Sequence, residues 1–260
     1  MLKGLGGLIA RYLNGTVRGY TAPGLVPVDL LVATLEPCDV ILVEGNRRIS
    51  VAIKYLTQST WSHAALYAGS ALGVAHGAGL RLIEADLTRG VRAAPVSELE
   101  GLHVRICRPV GLGEADRARV IAHAASRIGH RYDLKNVLDL ARYLLPTPPV
   151  PVRLRRRLIA LGSGDPTRAI CSTMIAEAFQ SVRYPILPEI ETVPASRPGC
   201  DDCVRELLHI RHHSLFAPRD FDLSPYFEVV KPRIAQGFDP ARLEWAATGE
   251  AGAAPQRPSA

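Results

Sequence analysis

A cysteine nucleophile needs a thiolate, a base to take its proton and a polar group to orient that base. The stretch RAICSTMIAEAF (168–179) puts Cys171 where a helix should begin. Ile175, Phe179 and Val182 fall at i, i+4 and i+7, one apolar face, and the preceding GSGDPTR is a run of loop formers. The unpaired N–H groups and the dipole at a helix start favour an anion, and the same N–H groups suit an oxyanion. By itself such a cysteine is more often a structural thiol.

The base candidate is His63 in WSHAALYAG, which opens a strand; alternation sets His63, Ala65 and Tyr67 on one face. The orienting candidate is Glu84 in LRLIEAD. If 62–69 and 80–86 pair as an antiparallel hairpin around 70–79, a register opposing His63 with Glu84 brings imidazole and carboxylate together. Directly opposed Cβ atoms are about 4.5–5.5 Å apart. Asp86, on the same face as Glu84, is the fallback. An ordinary rim histidine and a plain edge charge are the competing readings of these positions.

These residues need elements to hold them. The N-terminal MLKGLGGLIARYLNG gathers Leu2, Leu5, Leu8, Ile9 and Leu13 on one side, with Lys3 and Arg11 nearby. It reads as an amphipathic helix, packed on the domain or touching a membrane. TAPGLVPVD then reads as a Pro/Gly linker. CDVILVEG (38–45) is a buried strand, RRISVAIKYLTQ (47–58) a helix, and 62–69, 80–86, 90–96 and 103–110 strands of a mainly antiparallel sheet. Two helices follow, 114–129 ended by Gly129 and 133–146 ended by Pro146. A Pro-rich, then basic, stretch (146–166) leads to the Cys171 helix. PILPEIETVPASRPGCDDC reads as irregular, SPYFEVVKP (224–232) as a short strand, and GEAGAAPQRPSA as disordered. The order is that of an α+β chain. Its expected organisation is an N-terminal helix and linker (1–35), one catalytic domain (36–232) and a C-terminal tail (233–260).

WSHAALYAG with the upstream ILVEGNRRISVAIKYLTQS, the IEAD…GV element, GHRYD (129–133), ICSTMIAEAFQ and PRDFDLSPYFEVVKP (218–232) together resemble a known group. The chain is similar to the bacterial permuted papain-like cysteine hydrolases, the YiiX/YebB-like or lipo-like group related to the NlpC peptidoglycan peptidases. The resemblance covers roughly residues 36 to 232, with motif order His, Glu, Cys. It implies a permuted papain-like (NlpC-like) fold, an antiparallel sheet packed against helices with the nucleophile at a helix N-terminus. It also implies Cys171 as nucleophile, His63 as base, Glu84 as third polar residue, and Tyr132 as a tyrosine supporting the site. No metal or organic cofactor is implied. The substrate expected is peptide-like; the alternative is an acyl lipid, as in permuted lecithin:retinol-acyltransferase-like proteins. A non-catalytic binding module with an inert thiol is the remaining rival.

GCDDCVRELLHIRHH offers Cys200, Cys203, His209, His212 and His213. A C-x-x-C followed by histidines suits zinc, but the cluster is local, where structural sites draw on two spaced ligand pairs. A cysteine pair packed in an irregular segment, with the histidines on a short helix, is the competing reading. Arg153, Arg155, Arg156 and Arg157 read as a solvated face, or as a contact for anionic lipid or an acidic substrate. His76, His103, His123 and His130 show no partner in sequence and are read as structural.

The 260 residues carry 31 basic and 25 acidic side chains, a net charge of +6 too mild to argue for nucleic acid, and none is expected as a partner. No segment reaches the roughly 18 uncharged apolar residues that span a bilayer. The five cysteines are an odd number, and no secretory signal precedes them. That pattern leads us to expect a cytoplasmic protein, peripheral at the inner membrane at most, through the N-terminal helix and Arg153–Arg157.

Overall fold

A computed structural model describes residue 15 and residues 25–73, 79–86, 89–130, 170–194 and 204–243. The described chain is α+β. It begins with α1 (Val28–Thr34), β1 (Val40–Glu44), α2 (Arg48–Thr57), β2 (His63–Gly69), β3 (Arg81–Asp86), β4 (Gly90–Pro95) and β5 (His103–Pro109). After these come α3 (Glu114–Ala125), α4 (Ile170–Gln180), β6 (Glu189–Pro194), β7 (Val204–His209), α5 (Arg219–Leu223), β8 (Phe227–Val230) and α6 (Pro232–Ala235).

Six strands form one sheet in the order β4-β3-β2-β1-β5-β8, every neighbouring pair antiparallel. Both faces are covered, which is why β1 reads as an unbroken apolar run and not an alternation. All five of its residues are buried. On one face Val40, Leu42, Ala64, Leu66, Ile83 and Ala85 pack against α3 and α4. On the other, Ile41, Val43, Ala65, Tyr67 and Leu82 pack against Leu31 of α1 and the turn holding Val96 and Leu99. Helix α4 is held by Ile175 and Phe179, both fully buried. Each such side chain contributes about 1.5–3 kcal/mol through burial. Among the described residues no helix is long and apolar enough to cross a membrane.

Three local expectations are corrected. The stretch expected to be a linker (21–29) runs into α1, which is entered from the extended Pro27 and pinned by Leu31, 1% exposed. A helix this short owes its existence to packing more than to propensity. The segment expected to be irregular (185–203) contains β6, which pairs with β7 just beyond it as a separate two-stranded ribbon. His209 therefore ends a strand, while His213 lies in a 3-10 turn (His213–Leu215). Helix α3 stops at Ala125, and a turn carries the chain to Gly129, whose φ of 90° suits glycine. The expected N-terminal helix, the 133–146 helix, the Pro-rich stretch with Arg153–Arg157, and the last dozen residues lie outside the described residues.

Candidate active site

Helix α4 brings its first turn to the start of β2. There the His63 ring and the backbone of Ala64 and Ser172 face the Cys171 sulfur and favour its thiolate. On the far side of the ring, His63 Nε2 lies 2.8 Å from Glu84 Oε2. With Nε2 engaged by Glu84, Nδ1 is the ring nitrogen left to serve Cys171. The three residues form one relay, thiol to imidazole to carboxylate.

The register differs from the expected one. Glu84 stands opposite Ala65, so it is the diagonal neighbour of His63. The pairing is displaced by two residues along β2, Ala65 with Glu84 and Leu66 with Ile83, and it shifts again at an irregularity between Tyr67 and Gly69. Asp86 is not used by the histidine. It accepts a bond from the Arg89 backbone at 2.8 Å and pairs with Arg47 at 3.8 Å.

The relay continues through a residue the sequence reading passed over. Arg92, directly across from Glu84 in β4, binds Glu84 Oε1 through Nη2 and donates from Nη1 to Glu98 Oε1 at 2.9 Å. Its signal was present: the short turn between IEAD and GVR fixes the β3–β4 register and sets Arg92 beside Glu84.

Electrostatics follow from this geometry. Burial alone would raise the Cys171 pKa, but the His63 charge, its hydrogen bond and the two backbone bonds outweigh it, and the pKa is lowered. Burial alone would lower the His63 pKa; the negative charges of Cys171 and Glu84 and their hydrogen bonds push it up to about 10. Glu84 is also opposed by burial, yet its bonds to His63 and Arg92 hold it down to about 2. The resting state these shifts favour is thiolate, imidazolium and carboxylate, neighbouring charges alternating in sign.

The start of β2 is fixed from two sides. Gly45 donates its N–H to Ser62 Oγ at 2.9 Å, and Trp61 Nε1 donates to Asp222 Oδ2 at 3.0 Å. His103, read as structural and without a partner, has one: its Nδ1 lies 3.0 Å from Glu44 Oε2, and its ring packs on Trp61. His123 lies 3.9 Å from Glu177. His76, Tyr132, Cys200 and Cys203 lie outside the described residues. His209 pairs with Glu191 at 2.7 Å, and His213 packs on His212. Among the described residues no group of three or more His, Cys, Asp and Glu is placed to hold a metal.

No family model matches the chain, and no curated protein matches it in sequence. Among solved structures, the chain is similar to the metalloprotein YiiX from Escherichia coli O157:H7 (DUF1105). Identity is 14% and the TM-score 0.44, over 75% of this chain and 96% of that one. A likeness this loose carries no weight in reading the site.

Proposed function

We propose that the chain is a cysteine hydrolase of the permuted papain type, cleaving an amide or ester through an acyl-enzyme on Cys171. The observation that carries this reading is His63 held by Glu84 at 2.8 Å and facing the Cys171 sulfur, and the contrast among the thiols supports it. Cys38, Cys107 and Cys171 are all buried, and burial pushes Cys38 and Cys107 up to about 12. Cys171 alone of these three moves the other way, because His63 and two backbone bonds face its sulfur. The order of the elements, His63 on β2, Glu84 on β3 and only then Cys171 on α4, supports the permuted type.

In the reaction the Cys171 thiolate attacks the carbonyl carbon, and the oxygen takes up the electron pair near the N–H groups that open α4. As the tetrahedral intermediate collapses, the bond to the leaving nitrogen or oxygen breaks and the His63 imidazolium gives that atom its proton. Neutral His63 then takes a proton from water, which attacks the thioester and returns the thiolate. Glu84 keeps the ring aligned and stabilises its charge throughout.

Two measurements test the proposal. Iodoacetamide at pH 6 should alkylate Cys171 and leave Cys38 and Cys107 untouched, since a thiol near its ordinary pKa of about 8.5 is almost unreactive there. In a screen of amide and ester substrates, Cys171→Ala should remove turnover while the circular-dichroism spectrum stays native. Undiminished hydrolysis by that variant rejects the assignment.

A further inference from the structure

A cleft of about 620 Å³ opens between the start of β2 and α5, and its lining includes Glu44, Trp61, His103, Arg105, Arg219 and Asp222. Glu44 follows Val43, the register partner of His63, and Trp61 precedes His63 by two positions. Leu42 and Cys107 are buried in the same cluster as Ala64 and Cys171. Alternation therefore puts Glu44, His103 and Arg105 on the face of the sheet that carries the thiol. The cleft and Cys171 thus share the face at the start of β2.

Its charges are arranged, not scattered. Glu44 takes Lys54 Nζ at 3.1 Å and His103 Nδ1 at 3.0 Å. Asp222 takes Arg105 Nη1 at 2.7 and 2.8 Å and Trp61 Nε1 at 3.0 Å. The Arg105 guanidinium also lies over the Trp61 ring, 4.9 Å from its centroid. Among the described residues, Glu44 thus meets Lys54 and Asp222 meets Arg105. Arg219 has no carboxylate partner among the described residues; its Nη1 donates to the Thr57 carbonyl. The Arg219 charge is therefore not met by a described carboxylate.

Donors are left over as well. Among the described residues, Arg105 Nε and Nη2 and His103 Nε2 have no hydrogen-bond partner, and Arg219 uses only Nη1. A guanidinium held from behind by Asp222 and from below by an indole presents its remaining N–H groups in a fixed plane. That geometry matches two coplanar oxygens, and a second guanidinium supplies the balancing charge. The volume suits a ligand of a few residues, and a lining this ionic suits a polar one.

We propose that this cleft, on the thiol's face of the sheet, binds a carboxylate of the substrate, so that the enzyme selects amides or esters that carry a free carboxylate. The proposal takes its role in catalysis from the reading of Cys171 as nucleophile, but the binding it describes does not depend on that reading. The test uses the full chain carrying Cys171→Ala and Trp245→Phe, so that the Trp61 indole N–H is a single NMR reporter. N-acetyl-alanyl-alanine, its C-terminal amide and inorganic phosphate are titrated separately. The free acid should bind at least about tenfold more tightly than the amide, the worth of one charge-assisted bond. Arg219→Gln should erase that preference, and Arg219→Lys, which keeps the charge, should retain part of it. Equal binding of acid and amide, no binding of either, or tighter binding of phosphate than of the dipeptide acid overturns the proposal. Full hydrolytic activity in the Cys171→Ala chain, with the acid preference intact, would instead remove the nucleophile and leave the cleft assignment standing.

Discussion

Glu84 pairs across the sheet with Ala65, yet its Oε2 lies 2.8 Å from His63 Nε2. Diagonal positions on neighbouring antiparallel strands are about 7–8 Å apart, within reach only of long side chains. The diagonal therefore calls for a glutamate. Glu84→Asp, one methylene shorter, should lose the bond although it keeps the charge. We expect its kcat/KM to fall at least as far as that of Glu84→Gln, which keeps the length and loses the charge. A Glu84→Asp variant with wild-type kinetics would mean that the carboxylate acts through its field alone.

The charge has its own signature. Glu84 and Cys171 together raise His63 to about 10, so the imidazolium survives well above neutral pH. Removing the Glu84 charge in Glu84→Gln should let His63 lose its proton at lower pH. The alkaline limb of the pH–rate profile should then move down by about one unit or more, about 1.4 kcal/mol per unit. An NMR titration of His63 reads the same shift without relying on turnover.

For stability the sign runs toward acid. Glu84 sits near 2 in the folded chain, against about 4.3 when unfolded. A carboxylate with a depressed folded pKa stabilises fully above its unfolded value, and that contribution is lost as pH falls toward the folded one. The gap in urea midpoint between the wild type and Glu84→Gln should be widest at pH 6–7 and should close between about pH 5 and 2. A gap that widened on acidification would show that Glu84 is not held as an anion in the fold.

Much of this site was legible because its parts are local. The strands carrying His63 and Glu84 are short apolar runs between turn formers, and the Cys171 helix shows its period plainly. What was not legible depends on contacts distant in sequence. Helix α1 is seven residues long and is fixed by Leu31 in the core; it is too short to show a period, and its first two residues fall in the stretch that reads as a Pro/Gly linker. The β6–β7 ribbon pairs Ile190 with Leu208 while both stay exposed, so no buried face writes an alternation into either strand. His103 found Glu44 only because β5 lies beside β1, a neighbour relation that hairpin reasoning does not supply.

Gly45 ends the central strand where the chain turns into α2. A Cβ there would meet Ser50 Oγ at 2.2 Å and Ser62 Oγ at 2.8 Å. Ser62 accepts the Gly45 N–H and immediately precedes His63. Gly45→Ala must therefore displace the segment that positions the imidazole. The expected cost is about 1–3 kcal/mol in urea unfolding, the usual range for overpacking. The proposed activity should fall further than stability alone explains, measured where the variant is still fully folded. Wild-type kinetics in a folded Gly45→Ala chain would show that the start of β2 tolerates a shift.

Phe179 tests what holds the cysteine helix in place. It lies two turns beyond Cys171, is fully buried, and packs on Tyr184, Phe221 and Phe227 at ring separations of 5.5, 6.5 and 5.2 Å. Those rings belong to the turn after α4, to α5 and to β8, so one side chain ties the helix to two elements supplied by the end of the chain. Phe179→Ala should cost about 3–5 kcal/mol, the transfer of the ring plus the cavity it leaves. Phe179→Leu, which refills most of that volume, should cost much less. If the cluster also sets the position of the helix start, Phe179→Leu should slow iodoacetamide labelling of Cys171 at pH 6 while the chain remains folded. Unchanged labelling in that variant would assign the cluster to stability alone, leaving the bonds to His63, Ala64 and Ser172 to fix the thiol.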